Sequence, residues 1–320
     1  MATIYVATTG NDSTGDGSSG NPYATPGKAA SVMAVGDTVS VAAGTYVMTT
    51  ATTNVAGGCI SDTRNTSGVI NRWIGTGTVV FQAGTGLTST DLFFTNGQRL
   101  YIENIACDGN NKTSVNGFNV NGNYTNLYRC TAYNCSLGFH VYGDNAMHQC
   151  LARNNSSSGF KTESGYFFWC VARSNGGDGF YSSTNMQVFE NCIAYSNSGW
   201  GFGGSYSCLG QFIRYCISYG NNSGGFNNSG WSGGSRMYLF DSCVAYGNNG
   251  YGFNGDGTNL CINCATGSNT SGAFNAVGIQ TNSISLTADP FNSPSTGDFN
   301  LNTTAGGGAL LSAVNFSMPW

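Results

Sequence analysis

The sequence predicts an all-β fold, a right-handed parallel β-helix closed at its N-terminus by a cap helix, and three observations predict it. A motif that starts at Gly-Phe and runs on to Cys and Asn recurs every 20–27 residues from residue 117 onward. The units are rich in Gly, Asn, Ser and β-branched residues and show no 3.6-residue apolar period, which excludes a helical repeat. About 20 residues suit one coil of three short strands, and a coil that cannot bury its inner face alone must stack on its neighbours.

One copy of the motif runs from Gly179-Phe180 to Asn191-Cys192-Ile193-Ala194-Tyr195 and ends at Asn197. The Phe series is Phe118, Phe139, Phe160, Phe180, Phe202, Phe226, Phe253 and Phe274, with spacings 21, 21, 20, 22, 24, 27 and 21. The Cys series is Cys130, Cys150, Cys170, Cys192, Cys216, Cys243 and Cys264, with spacings 20, 20, 22, 24, 27 and 21. The two series lengthen together, so a single unit repeats, with insertions near Trp200 and Trp231. Equivalent residues of successive coils then lie about 4.8 Å apart, so the sulfurs and the phenyl rings are expected to run as columns.

Twelve cysteines first suggest a disulfide scaffold. Seven in one repeat slot instead suit stacked thiols that act as small hydrophobes. No paired CxxC motifs point to zinc, and reduced thiols favour assembly in a cytoplasm. Asn155, Asn175, Asn197, Asn221, Asn248 and Asn269 share one turn position, where Asn tolerates the left-handed conformation and can bond its neighbours in a ladder.

Side-chain direction follows from strand alternation. The slot three after Cys holds Tyr133, Arg153, Arg173, Tyr195, Tyr219 and Tyr246, and two stacked Arg side chains cannot both be buried unpaired. That slot therefore points out, while Cys and the small residue two places on point in. Between them Thr131, Leu151, Val171, Ile193, Ile217 and Val244 also point out. An exposed apolar stripe beside a Tyr/Arg stripe is expected, and such a patch marks an interface.

The ends depart from the repeat. Residues 1–50 read as an N-terminal cap, with Ile4-Tyr5-Val6, a loop through Asp12 to Gly17, and an amphipathic helix running to Val35 that plugs the core. Residues 51–279 are the coils; the first are less regular, and Tyr101 to Ala106 matches the motif with Asn104 in the Cys slot. Residues 280–320 lose the repeat and read as a C-terminal cap.

Composition excludes several functions. Only 8% of residues are charged, net charge is −4 and no basic stripe is visible, so nucleic acid is not an expected partner. No run of 18 apolar residues occurs, so no membrane insertion is expected. The first residues, Met1 to Ala7, lack the basic and apolar regions of a signal peptide.

At this level the residues resemble known proteins. Asn11-Asp12, Pro22 to Thr25, Gly36 to Val39 and Gly44-Thr45-Tyr46 resemble the opening of pectate-lyase-like β-helix proteins. Units such as Cys170-Val171-Ala172 to Gly179-Phe180 are similar to repeats of the polysaccharide lyase family 9 pectate lyases. The tail from Asp298-Phe299-Asn300 to Ala309-Leu310 resembles the ends of β-helix proteins encoded by bacteriophages. The likeness covers almost the whole chain and implies the fold; this superfold hosts lyases, hydrolases, tailspikes and inert structural proteins alike.

The family 9 resemblance implies a Lys base beside a calcium held by several carboxylates. Here it maps onto Asp178, with Lys161 one coil earlier, while Gly177 and Tyr181 stand where further Asp residues are expected. One carboxylate does not supply the about 6–8 oxygens that calcium takes unless loops add theirs. No cofactor is therefore expected, calcium being the only candidate, with Asp12 and Asp16 in the N-terminal loop as alternative ligands or Asx-turn residues. A glycosidase needs two carboxylates about 5–9.5 Å apart. Glu190 and Asp241 share a slot two coils apart, but Arg214 between them makes an ion ladder, and Asp108 beside Gly109 reads as a turn residue. The remaining outward cluster is His140, Tyr142, Lys161, Glu163 and Tyr181, in which His140, Lys161 and Tyr181 share one slot. The catalytic candidates are thus Lys161, Asp178, His140 and Glu163. The glycan-binding or interface candidates are Tyr133, Arg153, Arg173, Tyr195, Tyr219 and Tyr246, with Trp200 and Trp231 on protruding loops.

The expected function is a non-enzymatic bacteriophage virion protein, a decoration or tailspike-like β-helix assembled in the host cytoplasm. It is expected to form a homotrimer and to contact other virion proteins or a cell-surface glycan. The alternatives are a polysaccharide lyase or glycoside hydrolase, secreted in that case, and a glycan-binding adhesin that uses the Tyr column and the Trp loops.

Overall fold

The computed structural model describes residues 1–49, 58–62, 68–205, 210–228 and 237–311. The chain is nearly all β, a parallel β-solenoid of about eight turns. It divides into two compact units, Met1–Gly165 and Tyr166–Trp320.

In the first unit, strand Thr3–Val6 lies parallel to Thr38–Met48, which pairs with Asn71–Ala83 and then with Leu100–Asp108. The coil sheet therefore already begins at Thr3, inside the stretch expected to be cap alone. The cap helix is Pro26–Val32. Thr25 caps it, its hydroxyl accepting from the Lys28 N–H at 3.1 Å, and Pro26 opens it with a pre-set φ. Pro26, Ala29 and the following Met33 are buried, as a plug requires.

After residue 108 the long strands break in two. Leu100–Asp108 pairs with both Asn126–Tyr128 and Thr131–Tyr133. The break is a left-handed residue, Arg129, immediately before Cys130. The same device recurs at Gln149, Trp169, Asn191, Tyr215, Ser242 and Asn263, each directly before a ladder Cys. Asn104 has this conformation too, and register aligns Ala106 with Thr131, so Ile105 takes the Cys slot and Asn104 is the bend before it. This corrects the placement of Asn104 in the Cys slot.

The ladder Cys residues are buried thiols, 0–1% exposed, as are their partners Ala132, Ala152, Ala172 and Ala194. Burial pushes the Cys130, Cys192 and Cys243 thiols well up from their ordinary value. The Phe column also forms in each unit. In the first, Phe118, Phe139 and Phe160 stack with centroids 5.0 and 4.7 Å apart. In the second, Phe180, Phe202, Phe226 and Phe253 stack at 4.9 Å, the strand spacing itself. The Gly before each Phe explains the Gly-Phe motif. A Cβ at Gly117, Gly138, Gly179 or Gly225 would meet the backbone carbonyl of the next coil.

The Asn ladder forms as expected. In the second unit the Nδ2 of Asn175, Asn197, Asn221 and Asn248 each donates to the Oδ1 of the next ladder Asn at 2.9–3.1 Å. The left-handed residue, however, is the one before the ladder Asn: Asn154, Ser174, Ser196, Gly220, Gly247 and Ser268. The ladder Asn is thereby freed to point its amide inward.

The largest departure concerns the outward apolar stripe. In the second unit Ile193, Ile217 and Val244 are 7%, 0% and 0% exposed, not open to solvent. They do face away from the Cys core, because they form a separate cluster with Tyr195, Tyr246, Leu286, Phe291, Phe299 and Leu310. The tail supplies the cover through the antiparallel pair Phe291–Ser293 and Asp298–Leu301 and the short helix Ala305–Leu311. The coils also run on past residue 279, since Ile279–Thr281 and Ile284–Ser285 still pair with Leu260–Ile262 and Ala265–Gly267. The tail is therefore a strap along a side face of the second unit. Thr131 and Leu151 in the first unit stay half-exposed, and so does Val171 in the second, which packs against the edge of that cluster.

Candidate functional site

The richest outward cluster of reactive side chains lies in the first unit. It stands on the sheet made of Thr90–Thr95, Val115–Val120, Phe139–Val141 and Phe160–Thr162. Phe93, Phe118, Phe139 and Phe160 point into the core, so the residue after each points out. Register places Asn119, His140 and Lys161 in one outward column. Tyr142 and Glu163 stand just beyond the ends of these two strands.

The hydrogen bonds set the electrostatics. The Tyr142 Oη and His140 Nδ1 are 3.2 Å apart. Burial, and then the Lys161 ammonium, hold the His140 pKa down to about 4, so the imidazole is neutral at pH 7. His140 Nε2 and Asn119 Oδ1 are buried atoms without a hydrogen-bond partner among the described residues. Burial raises the Tyr142 pKa, and the Glu163 and Asp91 carboxylates raise it further. Asp91, 8% exposed, accepts from Asn116 Nδ2 and Asn119 Nδ2, both at 2.9 Å. Burial pushes its carboxyl up in spite of those two bonds.

The structure thus brings together three of the four catalytic candidates, His140, Lys161 and Glu163, and adds Asp91, Asn116 and Asn119. Asn116 and Asn119 were legible beside Phe118, and Asp91 through Phe93, which extends the Phe series back by one coil of 25 residues. Tyr181 lies in the second unit, registered against Gly203.

Asp178, the fourth candidate, is also in the second unit. Its Oδ1 accepts from the Trp200 N–H at 2.7 Å, and a Cβ on Gly199 or Gly203 would run into its carboxylate. Burial pushes its pKa up to about 6 against that hydrogen bond. Among the described residues no group of three or more His, Cys, Asp or Glu side chains could hold a metal ion. One buried carboxyl already bonded to backbone does not fit calcium, and no chemical step is routed through that ion. Asp12 is spoken for as well. It accepts from the Ala24 and Thr25 N–H groups at 2.8 and 3.0 Å and from the Thr25 hydroxyl at 2.6 Å, holding the chain at the helix entry. Asp16 makes an Asx turn to the Ser18 N–H.

The Tyr/Arg column is divided. Arg153 lies over the Tyr133 ring at 4.3 Å in the first unit. In the second, Arg173 is registered against Tyr195. Tyr195 and Tyr246 are each 9% exposed, and Tyr219 packs edge-on to Phe291 and Phe299 beneath the strap. An open Tyr platform is therefore absent from this face. Trp200 is not on a protruding loop: it opens the strand Trp200–Gly204 and its ring lies against Gly224. Trp231 lies outside the described residues. Glu190 and Arg214 form the expected surface ion pair at 3.3 Å, and Asp241 follows in register. Asp108 makes the expected turn, accepting from the Asn110 N–H.

A family model described as a protein of unknown function, DUF1565, matches residues 8–197. No curated protein matches the sequence. Among solved structures, the pectate lyase Pel9A has a TM-score of 0.67 at 18% identity, over 92% of this chain and 84% of that one. A rhamnogalacturonan lyase has a TM-score of 0.63 at 18% identity, over 84% and 74%. An ORF18 protein of Geobacillus virus E2 gives 0.45 at 13% identity, over 88% and 60%. At such identities the likeness is one of fold.

Proposed function

The chain belongs to the DUF1565 family, and from that premise we propose that it is a carbohydrate-engaging β-helix protein of a bacteriophage particle. The observation that carries the carbohydrate reading is the outward column Asn119, His140 and Lys161, flanked by Tyr142, Glu163 and Asp91. A structural column needs only partners for its polar atoms. This one sets the half-exposed Lys161, Tyr142 and Glu163 side chains beside His140 on the outward side. Hydroxyl-rich ligands are recognised by such convergent polar groups. The particle reading rests on the resemblance of the tail from Asp298 to Leu310 to the ends of phage-encoded β-helix proteins.

Binding of the full-length chain to a glycan array tests the reading. Wild type is expected to bind a defined set, and Lys161→Ala and His140→Ala are expected to lose it. An array without a single bound glycan would overturn it. Genes for capsid and tail proteins beside this one would support the particle assignment. The homotrimer belongs to the same proposal, resting now on the half-exposed stripe of the first unit; light scattering tests it.

A second reading, a polysaccharide lyase or hydrolase, is favoured by one observation. A neutral imidazole registered against a lysine, with a phenol on its Nδ1, is an arrangement that can move a proton. It predicts ultraviolet-absorbing unsaturated products or new reducing ends from a polysaccharide panel, abolished in Lys161→Ala. No release across the panel removes it.

A further inference from the structure

We propose that the second unit carries its own binding face for an extended, neutral glycan, built on Trp200 and Tyr251; the proposal rests on the carbohydrate reading above but places a second site. The face is the outer side of the sheet made of Phe180–Ser182, Trp200–Gly204, Gly224–Asn227, Tyr251–Asn254 and Gly272–Asn275.

Two residues before the core Phe, this sheet carries an alternating column. Trp200 is registered against Gly224, and Tyr251 against Gly272. Counting back from the Phe226–Phe253 pair sets Gly224 against Tyr251. A Cβ on Gly224 would collide with the Trp200 indole, and one on Gly272 would lie 3.6 Å from the Tyr251 ring. Each ring is thus laid over the bare backbone of the next coil, and each side chain is half-exposed. A ring with one face on glycine turns its other face away from the sheet. Such a face is flat, apolar area suited to the C–H side of a sugar ring.

The spacing names the class of ligand. Trp200 and Tyr251 are two coils apart, about 9–10 Å. An extended 1,4-linked glycan turns every second ring to the same side, and its disaccharide repeat is close to that distance. Polar groups follow in register alongside. Asn254 Nδ2 donates to Asn227 Oδ1 at 2.8 Å and Asn275 Nδ2 to Asn254 Oδ1 at 2.7 Å; Asn254 is buried within this ladder, while the half-exposed Asn227 and the exposed Asn275 offer its two ends to hydroxyls. Asp178, bonded to the Trp200 N–H, stands at the start of the column. Charge favours a neutral chain. Residues 166–320 contain no Lys and three Arg; Arg173 and Arg214 stand on strands of the other sheet, and Arg236 lies outside the described residues.

The test is isothermal titration of the full-length chain with cellohexaose, mannohexaose and xylohexaose as extended neutral probes, maltohexaose as a coiled one and hexagalacturonate as an acidic one. At least one extended neutral probe is expected to bind, with maltohexaose at least tenfold weaker. Trp200→Ala and Tyr251→Ala are each expected to weaken that binding at least tenfold, and Arg214→Ala, on the other sheet, to leave it unchanged. Where Trp200→Ala fails to fold by circular dichroism, Tyr251→Ala decides alone. Binding indifferent to both rings overturns the proposal, as does failure of all three extended probes. Binding of hexagalacturonate alone, lost in Lys161→Ala, overturns it while the carbohydrate reading of the first unit stands.

Discussion

The Tyr219 hydroxyl donates to Asp289 Oδ2 at 2.7 Å, tying a coil strand of the second unit to the segment that covers it. The bond stands beside the apolar contact of Phe291 and Phe299 with Ile217 and Val244. Burying side chains of this size stabilises by about 1.5–3 kcal/mol each, so the strap is held mainly by apolar burial and the phenol fixes its register.

Removing the anchor ring should open this face. Phe299 is 5% exposed, and Phe299→Ala is expected to cost about 3–5 kcal/mol. The variant should bind a hydrophobic dye and self-associate in size-exclusion chromatography. Tyr219→Phe, which removes only the hydrogen bond, should cost no more than about 1.5–3 kcal/mol. Equal effects of the two would contradict the strap's apolar attachment.

The Asn ladder is expected to be less tolerant than any surface amide. Asn221 Nδ2 donates to Ala194 O and Asn248 Oδ1, and its Oδ1 accepts from the Asn197 N–H. Asn221→Leu strands these groups inside the core at about 1–3 kcal/mol apiece, so its melting temperature should fall sharply. Asn249→Ala, on the exposed side, should leave it nearly unchanged.

Asp178 makes a signed prediction for pH. Its folded pKa is raised from 3.8 to about 6, so the folded state binds its proton more tightly than the unfolded chain does. That contribution is fully present below about pH 4 and is lost as pH rises through 6. A shift of this size corresponds to something on the order of 2–3 kcal/mol. Asp178→Asn should therefore melt higher than wild type at pH 7, and the gap should close by pH 4.

His140 runs the other way. With its folded pKa lowered to about 4, the neutral ring is favoured. Its contribution to stability is present above about pH 6.5 and is lost as pH falls through 4. An NMR titration should show the His140 ring unprotonated at pH 5. In Lys161→Ala the midpoint should move up, because the ammonium is one of the two causes holding it down. A midpoint near 6.5 in wild type would remove the buried, neutral imidazole from the site.

Much of the candidate site could be read in the sequence because register is inherited along a repeat. Once Phe139 and Phe160 share a column, so must His140 and Lys161. Asp91 escaped because it sits where the motif has not yet become regular and only Phe93 marks the slot, whereas Asn119 follows Phe118 in the slot of His140 and Lys161 and is an uncharged amide without chemistry of its own to draw notice. The mistaken slot for Asn104 has a different origin. The bend before each Cys is made by Arg, Gln, Trp, Asn, Tyr or Ser, residue types without a shared preference for the left-handed region, so composition does not reveal it.

By itself the sequence determined the solenoid, the inward columns of sulfur, phenyl and amide, and the outward direction of the stripe that follows each Cys. Strand alternation and a common period dictate these locally, one coil at a time. Only the tertiary structure decided that Ile193, Ile217 and Val244 are sealed by residues 286–310, and that Trp200 and Tyr251 lie over glycines of the next coil. Such contacts join segments without a shared period, and what they bury depends on where an irregular chain is free to fold back, a choice made by apolar surface meeting apolar surface at long range.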